Sequence, residues 1–136
     1  MRIVIDTNLI IAARFNPESA SAKILEKAEK GELELIWSDG MYREAMQILQ
    51  NVRADEKFYK RIEKILNNSH KVTQLPCINI IQEDPSDNMF LAAALQGGAD
   101  YIVSNDRHLL HLKEFQGIPI VSSQQALQKR QSERKF

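Results

Sequence analysis

The sequence predicts an α/β fold around a mainly parallel sheet of four to five strands. Three observations predict it. Short continuous apolar runs recur at Ile3-Val4-Ile5, Leu35-Ile36-Trp37, Tyr101-Ile102-Val103 and Ile118-Pro119-Ile120-Val121, as in strands covered on both faces. Segments of helical spacing separate them, and alternation of strand and helix gives parallel neighbours through crossover connections. The 136 residues show no internal repeat, low-complexity run or Gly/Ser linker, so a single domain over residues 1–136 is expected.

After the first strand, Asp6-Thr7-Asn8 leads into Leu9-Ile10-Ile11-Ala12-Ala13, a helix start. Ala20 to Lys30 has helical spacing through Ile24, Leu25 and Ala28, and Gly31 stops it. Beyond the second strand, Ser38 caps a helix with an apolar stripe of Met41, Ala45, Ile48, Leu49 and Val52. Asp55-Glu56 opens the next helix, acids at its positive end, with Phe58, Ile62, Ile65 and Leu66 as the buried face. His70 falls at the end of that helix. Lys71 to Asp84 has no clear period, although Ile78 to Ile81 reads as a short strand. Ser86, after Asp84-Pro85, is the expected N-cap of a helix through Met89, Phe90, Ala93 and Ala94 that ends at Gly97-Gly98. Ser104-Asn105-Asp106 follows the third strand, Leu109, Leu110 and Leu112 suggest a short helix, and Pro119 places the last strand at an edge. Ser122 caps a terminal helix, and the polar tail 128–136 is expected to fray.

Composition narrows the function. Lys plus Arg and Asp plus Glu both total 18, so the molecule as a whole exerts no strong pull on a polyanion. Nucleic-acid binding would depend on local basic patches or bound cations. Cys77 is the single cysteine, which rules out a disulfide within the chain and fits a reducing cytoplasm. It reads as a small apolar residue after Pro76 rather than a thiol nucleophile. Met1-Arg2 runs straight into an apolar run too short for a signal peptide, and no stretch approaches membrane-spanning length. A cytoplasmic location without a membrane partner is expected.

In a parallel α/β sheet the site lies outside the carboxyl ends of the strands. Asp6 follows the first strand and Asp106 comes shortly after the third. If those strands pair, their ends lie on the order of 5 Å apart. Asp87 sits near the start of the helix after Pro85, and Glu44 lies on the helix that leaves the second strand. Asp6, Asp87 and Asp106 could each serve merely as a cap or a dipole partner. Glu44 is harder to explain that way, because it flanks the apolar stripe between Met41 and Ile48. Converging carboxylates repel unless a cation lies among them, and Mg²⁺ and Mn²⁺ take such oxygen ligands.

The order IVIDTN, WSDGMYREAMQIL, DPSDNMFLAAALQGGADYIVSNDRHLLHL and GIPIVSSQQAL resembles a PIN domain over nearly the whole chain. It is most similar to the bacterial group described as toxin components of toxin–antitoxin systems (VapC-like). The D-x-x-D-N block followed by G-A-D-Y-I-V-S-x-D carries most of the specificity. The resemblance implies a three-layer α/β/α fold and an endoribonuclease using Mg²⁺ or Mn²⁺. Its four acids are Asp6, Glu44, Asp87 and Asp106, with Asn8, Asn88 and Ser104 supporting; Ser104 replaces a frequent threonine and keeps the hydroxyl. It also implies RNA as substrate, a homodimer and an antitoxin protein as partner.

Lys57, Lys60, Arg61 and Lys64 form a basic stripe at helical spacing. Such a stripe is usually a solvated face; its functional reading is a phosphate-tracking surface for RNA. Arg14, Lys129, Arg130, Arg134 and Lys135 are further candidates. His108 and His111 lack companion ligands for zinc and read as surface or rim residues, and Asp84 and Asp100 as turn residues, Asp84 near the rim. Two enzyme classes that begin with a strand and an aspartate fall behind. A haloacid-dehalogenase-type phosphatase needs a second Asp where Asn8 stands, and a receiver domain needs a lysine where Ser122-Ser123 stand. The remaining alternative is a PIN-fold RNA-binding or scaffold protein with weak or no turnover.

Overall fold

The computed structural model describes residues 1–82 and 85–133, with side chains as far as Gln128 at the C-terminal end. Strands β1 (Arg2–Ile5), β2 (Glu34–Trp37), β3 (His70–Lys71), β4 (Tyr101–Val103), β5 (Glu114–Phe115) and β6 (Ile118–Val121) form one sheet in the order β3-β2-β1-β4-β6-β5. All neighbours are parallel except β5 and β6. The helices are α1 (Asn8–Phe15), α2 (Ala20–Glu29), α3 (Asp39–Asn51), α4 (Glu56–Asn67), α5 (Asn88–Gly97), α6 (Arg107–Leu110) and α7 (Ser123–Glu133).

Strand side chains alternate between faces, and this divides the core in two. Ile3, Ile5, Leu35, Val103 and Val121 pack with residues of α1, α2, α3 and α4, and with Ala126 and Leu127 of α7. Val4, Ile36, Ile102 and Ile120 pack on the other face with Phe90, Leu91, Ala93 and Ala94 of α5, Met41 and Leu109. The result is the three-layer α/β/α arrangement. Helix α5 lies close on the sheet because Gly97 has no side chain: a Cβ there would stand 2.7 Å from Cγ2 of Ile36. Gly98 then ends the helix in the left-handed conformation at φ 65°.

The helix starts follow ordinary capping chemistry. The side chains of Ser19, Ser38 and Asp55 accept from the amides of Ala22, Met41 and Phe58. Ser122 and Gln125 satisfy each other's amides in a capping box. Helix α7 continues to Glu133 through most of the stretch expected to fray. Asp84, Arg134 and Lys135 lie outside the described residues, as do the side chains of Lys129 and Arg130.

Several expectations are corrected. Strand β6 is not an edge strand: β5, only two residues long, covers it. The proline is tolerated because the ladder to β4 begins after it, at Ile102↔Ile120. His70 does not end a helix but opens β3, opposite Ile36. Lys71 in that strand bonds Asp39 at 2.8 Å and holds its carboxyl below the ordinary aspartate range. Ile78 to Ile81 form no strand; the amides of Ile80 and Ile81 bond the side chain of Asn88 instead of a ladder. Ser86 is not the N-cap: Pro85–Asp87 is a 3₁₀ turn and Asp87 precedes α5. Cys77, expected as a small apolar residue, is exposed.

Candidate active site

The chain lays down β1, β2 and β3 to one side, then returns to place β4 on the other side of β1. The order therefore reverses between β1 and β4, and their carboxyl ends flank the crevice such reversals create. Ile5 pairs with Val103 there. Asp6 and Ser104 come immediately after those two residues, which fixes both at the mouth of the crevice.

Asp6 is 3% exposed. Its Oδ1 accepts from the Asn8 amide at 3.0 Å, and its Oδ2 from the Ser104 hydroxyl at 2.9 Å. The same hydroxyl oxygen accepts the Asp106 amide at 2.9 Å. Ser104, itself fully buried, thus ties the two acids together. Asp106 caps α6 through Oδ1, which accepts from the His108 amide at 2.7 Å. Its Oδ2 accepts no hydrogen bond among the described residues. Asp6, Asn8, Asn105 and Asp106 line a shared pocket of about 240 Å³.

Glu44, half-buried on α3, does not line that pocket. It accepts a short hydrogen bond from the hydroxyl of Thr7, the residue after Asp6. Asp87 is buried at the start of α5, which packs against β1. Its side chain does not cap the helix, nor does it line the pocket. Among the described residues, no three His, Cys, Asp or Glu side chains group as ligands for one ion. The structure therefore brings Asp6 and Asp106 together and leaves Glu44 and Asp87 on flanking elements.

The supporting residues act differently from one another. Asn8 holds Asp6 by its backbone amide, while its side chain is exposed beside the pocket. Asn88 makes four hydrogen bonds to the segment before it. Two residues went unnoticed in the sequence. Asn105 lines the pocket and exchanges hydrogen bonds with Ser123. Thr7 holds Glu44, and no local spacing links positions 7 and 44.

The basic stripe lines a groove of about 700 Å³ between α1, α2 and α4, together with Arg14 and the acids Glu26, Glu29 and Asp55. Its members are not equivalent. Arg61 forms a two-point contact with Glu29 at 2.9 and 3.2 Å, and Lys60 pairs with Glu56 at 3.3 Å. Lys57, Lys64 and Arg14 form no ion pair among the described residues. Lys30 bonds Glu26 and keeps its carboxyl below the ordinary range. His108 and His111 are exposed. No helix among the described residues is long and apolar enough to cross a membrane.

A family model for the PIN domain matches residues 2–108. The chain belongs to the PIN-domain family. Solved structures share the PIN fold at low identity. VapBC2 from Rickettsia felis, in a crystal structure with a DNA fragment from the promoter, superposes with a TM-score of 0.59 at 13% identity, covering 90% of this chain and 98% of that one. PAE2754 from Pyrobaculum aerophilum superposes with a TM-score of 0.57 at 16% identity, covering 97% of this chain and 90% of that one. Comparison with curated proteins gives no match.

Proposed function

We propose that this PIN-domain protein is a divalent-metal-dependent endoribonuclease and the toxin component of a toxin–antitoxin pair. The observation that carries the reading is Asp6: a carboxylate buried at the switch point of the sheet, pinned at both oxygens, and tied through Ser104 to a second acid in the same pocket. A cap alone needs neither that burial nor the second acid.

The donor chemistry fits Mg²⁺ or Mn²⁺. The pocket offers carboxylate and amide oxygens and no thiolate or imidazole, a hard-ion set. Mg²⁺ commonly takes only one or two carboxylates, keeping waters and substrate phosphate oxygens for its other positions. A pair of acids in the pocket is thus enough, without a three-residue cluster. Asp6 and Asp106 would hold the ion, with Glu44 and Asp87 completing the acidic set. When bound, such an ion neutralises charge on the phosphodiester and acidifies water. The chain's own part is orientation. Ser104 and the Asn8 amide fix the Asp6 oxygens, the His108 amide fixes Asp106, and Thr7 holds Glu44, the acid that would take a proton from an attacking water in this reading.

The deciding experiment is cleavage of a fluorescent single-stranded RNA with and without Mn²⁺, with Asp6→Asn alongside. Wild type should cut only with the metal, and the variant should not cut. Wild-type protein inert at millimolar Mn²⁺ would favour the second reading, a PIN-fold RNA-binding or scaffold protein. The placement of Glu44 and Asp87 outside the Asp6–Asp106 pocket is the observation on its side.

The likeness of the fold to VapBC2 and the sequence resemblance to toxin components support an antitoxin as partner. Together with RNA and a second copy of the chain, it makes up the proposed set of partners. Location in the cytoplasm belongs to the same reading.

A further inference from the structure

We propose that Asn88 is a positioning residue: its side chain clamps the segment before α5 and thereby sets the place of Asp87. The inference rests on the nuclease reading above, in which Asp87 belongs to the reacting set.

A primary amide has two donor hydrogens and two acceptor lone pairs, and Asn88 uses all four within the protein. Its Oδ1 accepts from the Ile80 amide at 3.0 Å and the Ile81 amide at 2.9 Å. Its Nδ2 donates to the carbonyls of Ile81 and Pro85, each at 2.9 Å. The side chain is 7% exposed, and buried amides left without partners are costly. Ile81 is itself buried in the sheet–α5 core, so the clamp anchors to a fixed point. The Pro85 carbonyl begins the 3₁₀ turn whose last residue is Asp87.

Asp87 is therefore held from its own chain neighbour. Its backbone lies between the clamped Pro85 carbonyl and the first residue of α5, and its side chain is not spent on capping the helix. A regular N-cap would satisfy the helix end but draw the carboxylate onto the helix amides. Here Asp87 makes no side-chain cap bond to α5, and the Asn88 side chain ties the start of the helix to Ile80, Ile81 and Pro85. Aspartate at position 88 would keep an acceptor for the Ile80 and Ile81 amides but would lose both donors. It would also set a negative charge against two carbonyls.

The test compares wild type, Asn88→Ala, Asn88→Asp and Asp87→Asn. It reads cleavage of a fluorescent single-stranded RNA, Mn²⁺ half-saturation, and hydrogen exchange at the Ile80 and Ile81 amides. Asn88→Ala should speed exchange at both amides and lower kcat about tenfold or more, the usual scale for residues that orient ligands, with KM for RNA moved less than about twofold. Asn88→Asp should keep both amides protected, lose less kcat and raise the Mn²⁺ half-saturation concentration. It decides the matter if the alanine variant does not fold. In Asn88→Ala, faster exchange with unchanged kcat and Mn²⁺ response would show a purely structural clamp and overturn the proposal, as would unchanged exchange; in Asn88→Asp, a wild-type kcat and Mn²⁺ half-saturation would overturn it. Asp87→Asn cleaving at the wild-type rate would instead remove Asp87 from the reaction, a failure of the underlying reading that this arm detects separately.

Discussion

Ser104 has one hydroxyl and uses it twice, donating to Asp6 and accepting from the Asp106 amide. A carboxylate held this way loses little freedom when a reaction begins, which is the structural content of preorganisation. Glu44 is held by the Thr7 hydroxyl, and it offers a clean separation of chemistry from stability. Glu44→Gln keeps an oxygen to accept that hydrogen bond and removes only the charge. We expect RNA cleavage under fixed Mn²⁺ to fall by about a hundredfold or more, the scale of a lost general base, with the metal-free melting temperature equal or higher. Cleavage at the wild-type rate would exclude Glu44 from the mechanism. The positions of Asp6 and Asp106 were legible because strand ends in a parallel sheet are predictable. Thr7 was not legible, because its partner lies 37 positions away on another element. That Glu44 and Asp87 lie outside the shared pocket was equally hidden: motif order says which acids approach, not how their side chains are directed.

Helix α4 shows why a stripe in the sequence is not yet a surface. Lys57, Lys60, Arg61 and Lys64 share a face by spacing, yet Arg61 is tied to Glu29 of α2 and Lys60 to Glu56. If the stripe tracks RNA phosphates, Lys57→Gln with Lys64→Gln should weaken RNA binding and reduce the salt slope by about two, one for each lost phosphate contact. Melting temperature should barely move, because exposed charges contribute little. Arg61→Gln should behave in the opposite way, changing the slope less and costing at most about 1 kcal/mol, since the pair is partly exposed. A salt slope untouched by the double lysine change restores the solvated-face reading. The long elements were legible from their apolar period and caps: α2, α3, α4 and the strands at Leu35 and Tyr101 fall where the pattern places them. The misses are short or context-dependent. Strands β3 and β5 have two residues each, too few to show a period. Ile78 to Ile81 has strand composition but gives its amides to Asn88, a tertiary contact that no local propensity contains.

At the scale of the whole molecule, equal totals of acidic and basic residues conceal an uneven layout. Asp6 and Asp106 share one pocket at the reversal of strand order, and bases line a groove at the far end of α1, where Arg14 stands. Folding brings the acids together, so their repulsion belongs to the native state and is largely absent from the unfolded chain. A cation that binds only the folded arrangement therefore stabilises the entire domain by mass action. At ten times its dissociation constant the gain is about 1.4 kcal/mol, which for a domain of this size raises the melting temperature by about 4 °C. We expect such a shift with Mn²⁺ in the millimolar range, and a smaller one with Asp6→Asn, which removes one charged ligand while leaving oxygen and nitrogen near Ser104 and the Asn8 amide. The measurement is a melting curve against Mn²⁺ for both proteins, with Ca²⁺ as a larger hard ion for comparison. A wild-type curve indifferent to Mn²⁺, or an equal shift in Asp6→Asn, would mean that the Asp6–Asp106 pocket does not hold the ion.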